Sequence, residues 1–306
     1  MRDFSCFSEN GVQVVDYSSS STSSSSNNKA PQNLVTCVYE CLFQGSSCFI
    51  TITWSKNLVG QGVSIGIQNS SNEFLCKVDI KPWLFTRRKG FKSSLVDSSV
   101  VDIYWDFSLA KFGTGPEPRE GFYVAVAFDQ EIVLILGDLH KEVYKKIDRT
   151  PRKPASAAAS SDAVFVAKRE HIFGKKHYGT KAQFYDKGRI HDITIECYSE
   201  KINDPSLVIS IDRKAVMQVK KLRWKFRGNQ TILVDGMAVH VYWDVHSWFF
   251  GSVVGNAVFL FQTSLSSSAQ KLANSISSPS SAFSWSGPDS QQGQAFSLIL
   301  YAWKTE

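Results

Sequence analysis

The stretch "VVDIYWDF" runs from Val100 to Phe107, and a second stretch, "AVHVYWDV", runs from Ala238 to Val245. In both, apolar and polar residues alternate, which predicts a β-strand with one face in the core and one face in water. The predicted core positions are Val101, Ile103, Trp105 and Phe107 in the first stretch, and Val239, Val241, Trp243 and Val245 in the second. Asp102, Tyr104 and Asp106, and likewise His240, Tyr242, Asp244 and His246, are predicted on the wet faces. A Trp that fills the core from a half-buried strand is therefore expected twice.

The two Tyr-Trp-Asp stretches belong to a longer internal repeat. In order along the chain, "ITIT" (50–53) matches "ITIE" (193–196), "VSIGI" (63–67) matches "LVISI" (207–211), and "SLVD" (94–97) matches "ILVD" (232–235). Because several matches keep the same order, we predict a duplication. The predicted fold is all-β, with two tandem, sequence-related, antiparallel sheet-rich repeats that form β-sandwich-like or barrel-like halves.

Polar low-complexity segments divide the chain. We expect residues 1–32 to be a disordered Ser-rich tail, 33–148 the first β repeat, 149–162 a linker, and 163–306 the second β repeat. The second repeat carries a Ser-rich loop at 263–294, which is predicted to be an insertion at a hairpin tip. We expect a tight hairpin at Asp129-Gln130, and a last strand over 296–303 that pairs with 257–261. The sequence leaves open whether the halves are separate domains or one two-fold sandwich.

Composition and charge narrow the class of protein. The formal net charge is +6 over 306 residues, which permits an acidic partner without requiring one. No secretory signal and no apolar run long enough for a transmembrane segment is present, and the six Cys show no CxxC spacing. We therefore expect an intracellular protein, cytoplasmic or nuclear, with reduced thiols, no metal site and no cofactor.

Two stretches resemble a known family. "VVDIYWDFSLAKFGTGPEPREGFYVAVAFDQEIVLILGD" (100–138) and "FVAKREHIFGKKHYGTKAQF" (165–184) are similar to a plant-specific family called domain of unknown function 868. The resemblance covers nearly everything between about Asn33 and Gln262, together with the last strand. It implies a plant protein, and it implies no catalytic residues, because no activity is assigned to that family.

Basic and aromatic residues cluster at equivalent places in both copies. "KPWLFTRRKGFK" (81–92) lies in the first copy and "KKLRWKFRG" (220–228) in the second, and "AKREHIFGKKHYGTK" (167–181) is basic as well. Alternation in the second stretch predicts a strand with Trp224 and Phe226 facing inward and a cationic ribbon facing outward. The candidate binding residues are Arg87, Arg88, Lys89, Arg223, Lys225 and Arg227.

The basic ribbons have two interpretations. They could dock an anionic partner, either a protein or a lipid head group at a membrane surface. Alternatively, Lys and Arg could only protect sheet edges from aggregation. Nucleic acid is less favoured as a partner, because the aromatic residues are expected to be in the core and no nucleic-acid-binding motif is present. The predicted function is non-catalytic binding.

An enzyme of unknown reaction is the alternative, and it would use Asp and His residues on the polar faces of the YWD strands. His240, Asp244 and His246 share one predicted face, but the two His lie six residues apart and are too distant for one metal ion. Asp106 and Asp244 are equivalent in the repeat and could in principle form an acid–base pair. Polar decoration of a solvent-exposed face explains the same residues.

Overall fold

The structure is a computed structural model, and it describes residues 33–71, 73–80, 88–96, 98–147, 163–185, 188–198, 204–250, 255–263 and 296–304. The predicted Ser-rich tail (1–32) and linker (149–162) lie outside the described residues. The predicted Ser-rich loop also lies outside them, except for its first residue, Thr263.

The described chain is almost entirely β-structure, as the alternating sequence predicts. The strands of the first half are β1 (Asn33–Phe43), β2 (Ser46–Asn57), β3 (Gly60–Asn69), β4 (Phe74–Ile80), β5 (Lys89–Val96), β6 (Ser99–Asp106), β7 (Lys111–Phe112), β8 (Pro118–Glu120), β9 (Tyr123–Phe128) and β10 (Glu131–Gly137), followed by helix α1 (His140–Ile147). The second half contains β11 (Val164–Gly174), β12 (His177–Gln183), β13 (Ile190–Tyr198), β14 (Ser206–Ile211), β15 (Lys214–Val219), β16 (Arg227–Val234), β17 (Met237–Asp244), α2 (His246–Phe250), β18 (Asn256–Thr263) and β19 (Ser297–Lys304). The two helices are departures from the expected pattern.

One large sheet runs through both halves. Its nine strands follow the order β16-β17-β18-β19-β11-β1-β2-β3-β4. Two four-stranded sheets, β10-β9-β6-β5 and β12-β13-β14-β15, and a two-stranded sheet, β7-β8, complete the described structure. None of the described sheets closes into a barrel, so the barrel-like alternative is not what forms. All strand pairs are antiparallel except β11 with β19, which are parallel because the chain passes through the whole second half before β19 returns.

Each four-stranded sheet packs on the nine-stranded sheet around its own core. The first core is built mainly from β1–β4, β6, β9 and β10, and the second from β12–β19. Lys168 pairs across the strands with Cys37 of the first core and with Leu298 of the second. Because directly opposed residues point to the same face of a sheet, both cores lie on one face of the large sheet, and Lys168 stands between them.

The predicted strands β6 and β17 are confirmed, and the same cross-strand contacts surround both. Trp105 lies opposite Gly90, and Trp243 lies opposite Gly228. A Cβ atom on either glycine would come within 2.2 or 2.3 Å of the ring of the facing Trp, so only glycine leaves the ring its place. Trp243 is buried as predicted, whereas Trp105 is only half-buried.

An ion pair lies next to each of these Gly–Trp contacts. Lys89 Nζ lies 2.7 Å from Asp106 Oδ2, and Arg227 Nε lies 2.8 Å from Asp244 Oδ2. In both cases the cation is the residue before the glycine and the carboxylate is the residue after the Trp. The YWD motif thus supplies a ring that covers a glycine and a carboxylate that holds the adjacent cation.

The wet face predicted for the first YWD strand is wrong. Asp102 and Tyr104 are both buried. Helix α1 packs over the outer face of the β6–β9 region and brings Val143 against Tyr104 and Tyr123. The second YWD strand keeps the predicted alternation, with buried and half-buried residues in turn along β17. Among the described residues, the two YWD strands differ in that helix α1 covers the outer face of the first one.

The predicted turns and the last strand are confirmed. Asp129 and Gln130 form the tip between β9 and β10, and both have positive φ, as a two-residue hairpin turn requires. β18 pairs with β19, with Phe261 opposite Leu298. Across the Ser-rich segment the Thr263 amide donates to the Phe296 carbonyl over 3.0 Å, so the long connection starts and ends on neighbouring strands.

No helix in the described ranges has the length and apolar character needed to cross a membrane. The intracellular location, cytoplasmic or nuclear, stays a prediction.

Candidate binding site

The second basic stretch does not form the predicted ribbon strand. Residues 220–226 are a turn that joins β15 to β16, and the strand starts only at Arg227. Lys221 has a φ of 55°, and its carbonyl accepts hydrogen bonds from the amides of Trp224 (3.0 Å) and Lys225 (3.1 Å). The turn points Trp224 outward, so that it is 81% exposed, although alternation predicts it inside.

The turn is fixed on both sides of Trp224. On the N-terminal side Leu222 is fully buried, and its amide donates to the Pro205 carbonyl over 2.8 Å. On the C-terminal side Trp243 Nε1 donates to the Lys225 carbonyl over 3.0 Å, and Phe226 packs against the second core. The exposure of Trp224 is therefore imposed by a held backbone and is not the result of a loose loop.

Aromatic side chains of α2 extend this surface. Phe226 lies 5.2 Å from His246 and 5.9 Å from Phe250, measured between ring centroids. Phe250 is 56% exposed. Trp224 and Phe250 thus place two exposed aromatic rings at one end of the second sandwich.

Six cations lie at the same end of the second sandwich, and we call them the basic end: Lys175, Lys176, Lys220, Lys221, Arg223 and Lys225. Lys175 and Lys176 belong to the basic end because they directly follow β11, whose last residue, Gly174, pairs with Lys304 at the end of β19. The Lys176 carbonyl accepts a hydrogen bond from the Cys197 amide, which places this turn at the end of β13, next to the residue 204–205 segment. Two basic stretches of the sequence thus meet at one end of the second sandwich.

Among the described residues, the charges of the basic end have no ion-pair partner. All six side chains are exposed, and none forms an ion pair with any residue in the described ranges. Two nearby carboxylates are already engaged, Glu196 by His177 at 2.9 Å and Asp244 by Arg227 at 2.8 Å. Asp204 is the exposed acidic residue beside this surface. The balance leaves a strongly positive patch suited to an anionic partner.

The other predicted binding residues are less available. Arg227 is held by Asp244 and lies 5.6 Å from the ring of Phe226, and Lys89 is held by Asp106. The hydrogen bond to Asp106 raises the pKa of Lys89. Arg88 is exposed, and Arg87 lies outside the described residues. Arg223 and Lys225 are therefore the predicted cations that the structure places on the open patch.

The structure does not assemble the Asp and His residues that the enzyme alternative requires. Asp106 and Asp244 sit in different sheets, each beside its own cation. Partial burial acts to raise the pKa of Asp106, but hydrogen bonds from Lys89 and Ser108 outweigh it and hold that pKa below the usual value. His240 Nδ1 lies 2.9 Å from Thr231 Oγ1, and His246 belongs to α2. Within the described part of the chain, no three His, Cys, Asp or Glu side chains are grouped to hold a metal ion.

A polar seam between the two cores was missed by the sequence analysis. Lys168 Nζ lies 3.1 Å from Glu170 and 3.7 Å from Glu117, and the Cys37 thiol lies 3.8 Å from Glu117. Burial acts to lower the pKa of Lys168, but the two carboxylates outweigh it and raise that pKa. Cys37, Glu117 and the Lys168–Glu170 pair are far apart in sequence, so no local pattern could have grouped them.

The seam is a half-buried ion cluster beside a buried thiol. Burial, reinforced by Glu117, raises the pKa of the Cys37 thiol to about 12, so this thiol is neutral and a poor nucleophile near pH 7. Burial also raises the pKa of Glu117. Cys37 and Glu117 line a cavity of about 160 Å³ with Tyr39, Trp54 and Phe122. A second cavity, of about 220 Å³, lies beside the Asp129 turn, and neither cavity includes a residue of the basic end.

A different cluster closes the opposite end of the second sandwich. The buried His191 places Nδ1 2.9 Å from Asp212 and Nε2 3.1 Å from Asp235, two carboxylates at the hairpin turns of facing sheets. Arg189 contacts both of the same carboxylates. Arg189 and His191 therefore engage both carboxylates, whereas Arg213 and Lys214 at the same end form no ion pair with a described residue.

Comparison with known proteins gives a family match. The family model described as a plant protein of unknown function (DUF868) matches residues 30–304. No curated protein matches the chain, and no solved structure matches it.

Proposed function

We propose that this chain, which belongs to the plant protein family of unknown function DUF868, is a non-catalytic binding protein that docks an anionic partner on its basic end. The single observation that carries the proposal is the turn of residues 220–226, which presents Arg223, Trp224 and Lys225 outward from a fixed backbone. Fixing a loop in its binding conformation reduces the entropy lost on association, so the geometry suits recognition.

The charge distribution supports the same proposal. Many of the other described cations, such as Lys89, Lys111 and Arg227, have carboxylate partners. The basic end concentrates six cations that have no carboxylate partner among the described residues, at the end where Trp224 and Phe250 are exposed. Protection of a sheet edge explains this poorly, because the cations stand on turns and the exposed Trp would itself favour aggregation.

A charge-matched comparison tests the proposal. The variant Arg223→Gln/Lys225→Gln removes two charges from the basic end, and Arg213→Gln/Lys214→Gln removes two from the exposed turn between β14 and β15 at the other end. We expect the first variant to weaken salt-dependent binding to anionic probes about thirty-fold, since each cation near an anionic surface contributes about 1 kcal/mol.

The probes are polyglutamate, a single-stranded RNA and vesicles that contain phosphatidylserine, each measured below and above 0.15 M salt, where the Debye length is about 8 Å. The second variant should bind like the wild type. Equal binding by both variants, or no salt-dependent binding to any of the probes, would contradict the proposal.

We also infer that the two sandwiches are duplicated repeats. The Gly–Trp contacts and the Lys89–Asp106 and Arg227–Asp244 ion pairs support this, because each keeps the order found in its counterpart. An experimental structure in which the strands β2–β6, β9 and β10 superimpose on β13–β19 with these contacts aligned would test it. A different register at the two YWD strands would contradict it.

An enzyme of unknown reaction remains the second candidate, and the polar seam is the observation that favours it. Glu117 is a carboxyl group with a raised pKa on the wall of a cavity, as general acids often are. A screen of small metabolites by thermal shift, repeated with Glu117→Gln, tests this candidate. A compound that stabilises the wild type and not the variant would support it.

A further inference from the structure

We infer that the anionic partner is a membrane surface that contains acidic phospholipids, and that the Trp224 side chain enters the lipid interface. This inference rests on the proposed function and names its partner. The basic end supplies attraction to the lipid charge, and the exposed ring supplies apolar surface for the boundary between head groups and acyl chains.

The position of Trp224 fits an interfacial anchor. Its ring projects from a turn between two cations, Arg223 and Lys225, so a membrane that attracts the cations also receives the ring. Trp is favoured at lipid–water interfaces, where its ring is apolar and its N–H remains near water. Phe250, exposed on the neighbouring helix α2, offers a second ring at the same end.

A second exposed turn lies at the same end of the strands of the nine-stranded sheet. β11 ends at Gly174, which pairs with Lys304, and β1 runs antiparallel to β11. Asn33 at the start of β1 and its partner Lys56 therefore lie at that end of the sheet. The β2–β3 hairpin therefore turns there, and its tip residues Leu58 and Val59 are exposed. This aliphatic tip adds exposed apolar surface at the same end of the strands as the basic end, with β1 between β2 and β11.

These features favour lipid over the other anionic partners. Trp224 could stack on a base, so the expectation that aromatic residues are buried does not exclude nucleic acid. Leu58 and Val59, however, have no flat face to stack on a base, but they can enter lipid. An acidic protein would offer a complementary pocket or ridge for a hot-spot Trp, whereas a bilayer requires only projecting tips.

Co-sedimentation with vesicles of phosphatidylcholine, with and without phosphatidylserine, tests the inference on the full chain. The variants are Trp224→Ala and Arg223→Gln/Lys225→Gln, with Arg213→Gln/Lys214→Gln as the control. Because Trp224 is 81% exposed, its replacement should leave folding intact, which the melting temperature checks.

The two variants should weaken binding in different ways. We expect Trp224→Ala to bind anionic vesicles at least about tenfold more weakly, because apolar burial is lost, with the salt dependence unchanged. Arg223→Gln/Lys225→Gln should lose about thirty-fold and respond less to salt. Full binding by Trp224→Ala, or equal binding to neutral and anionic vesicles, would overturn the inference.

The same experiment separates this inference from the proposed function. Binding to polyglutamate or RNA that depends on Arg223 and Lys225, without binding to vesicles, would overturn the membrane inference and leave the proposed function in place. No salt-dependent binding to any of the three probes would overturn both.

Discussion

Replacing Gly228 with alanine should displace the Trp243 ring and disturb the turn that carries Trp224. The new Cβ atom would lie 2.3 Å from one ring atom of Trp243 and 2.7 and 3.0 Å from two others. Contacts between carbon atoms are ordinarily about 3.5–4.0 Å, so the ring must move by roughly 1 Å or more. That shift weakens the 3.0 Å hydrogen bond from Trp243 Nε1 to the Lys225 carbonyl.

The expected loss of stability follows from these two effects. Overpacking a well-packed site costs about 1–3 kcal/mol, and the hydrogen bond contributes about 1 kcal/mol. Alanine also restricts the unfolded chain, which offsets about 0.4–1 kcal/mol. We therefore expect Gly228→Ala to lower the free energy of unfolding by about 1–3.5 kcal/mol.

Urea denaturation of the full chain, followed by circular dichroism, measures this loss, and two glycine variants serve as comparisons. Gly179→Ala is the control, because the nearest atom to its new Cβ is a carbonyl oxygen 3.9 Å away, and we expect a change within about 0.5 kcal/mol. Gly90→Ala brings a Cβ within 2.2 Å of Trp105, but Trp105 Nε1 has no hydrogen-bond partner among the described residues.

Gly90→Ala should therefore destabilise through the clash alone and leave the turn of residues 220–226 unaffected. Hydrogen exchange of the amides in that turn should speed up in Gly228→Ala and stay unchanged in the other two variants. If Gly228→Ala is as stable as Gly179→Ala, the Gly–Trp contact does not hold the strands as described.

Three further results are expected. Trp243→Phe should cost about 1 kcal/mol more than Trp105→Phe in urea denaturation, because only the indole N–H of Trp243 donates a hydrogen bond to a described residue; equal costs would contradict the assigned bond. The hydrogen bond from His191 lowers the pKa of Asp212, so Asp212 stabilises the fold above its unfolded pKa near 4, and this stabilisation is lost as the pH falls through its folded pKa. Asp212→Asn should therefore make the free energy of unfolding less dependent on pH in the acid range, and an unchanged pH dependence would contradict this assignment. The buried Cys37 thiol, with a pKa of about 12, should resist iodoacetamide at neutral pH until the chain unfolds, and rapid native labelling, located by mass spectrometry, would show that the seam opens.

The predictable parts of the fold are those that local sequence patterns, such as alternation and turn residues, encode. Alternation identified the two YWD strands, and Asp129-Gln130 marked a hairpin because both residues tolerate positive φ at the tip. The pairing of β18 with β19 across the Ser-rich segment was also predicted, since matching apolar strands remained on either side of it.

Other parts depend on contacts that a local pattern does not encode. The alternating sequence around Trp224 fits an edge strand and a turn equally well. The turn forms because Lys221 adopts a positive φ and the Leu222 amide donates to the Pro205 carbonyl. The packing over Tyr104 depends on α1, a short helix from another part of the chain, which brings Val143 against it. The seam around Lys168 joins residues more than fifty positions apart, so its charge cluster is visible only in three dimensions.

Hydrogen exchange of the full chain on vesicles with and without phosphatidylserine tests the central claim most directly, because it locates the bound surface. We predict slower exchange on anionic vesicles at residues 220–226 and at the Lys175-Lys176 turn, with no change at the Asp212 turn of the opposite end. Bound protein that shows no added protection at residues 220–226, or protection confined to the Asp212 end, would contradict the account.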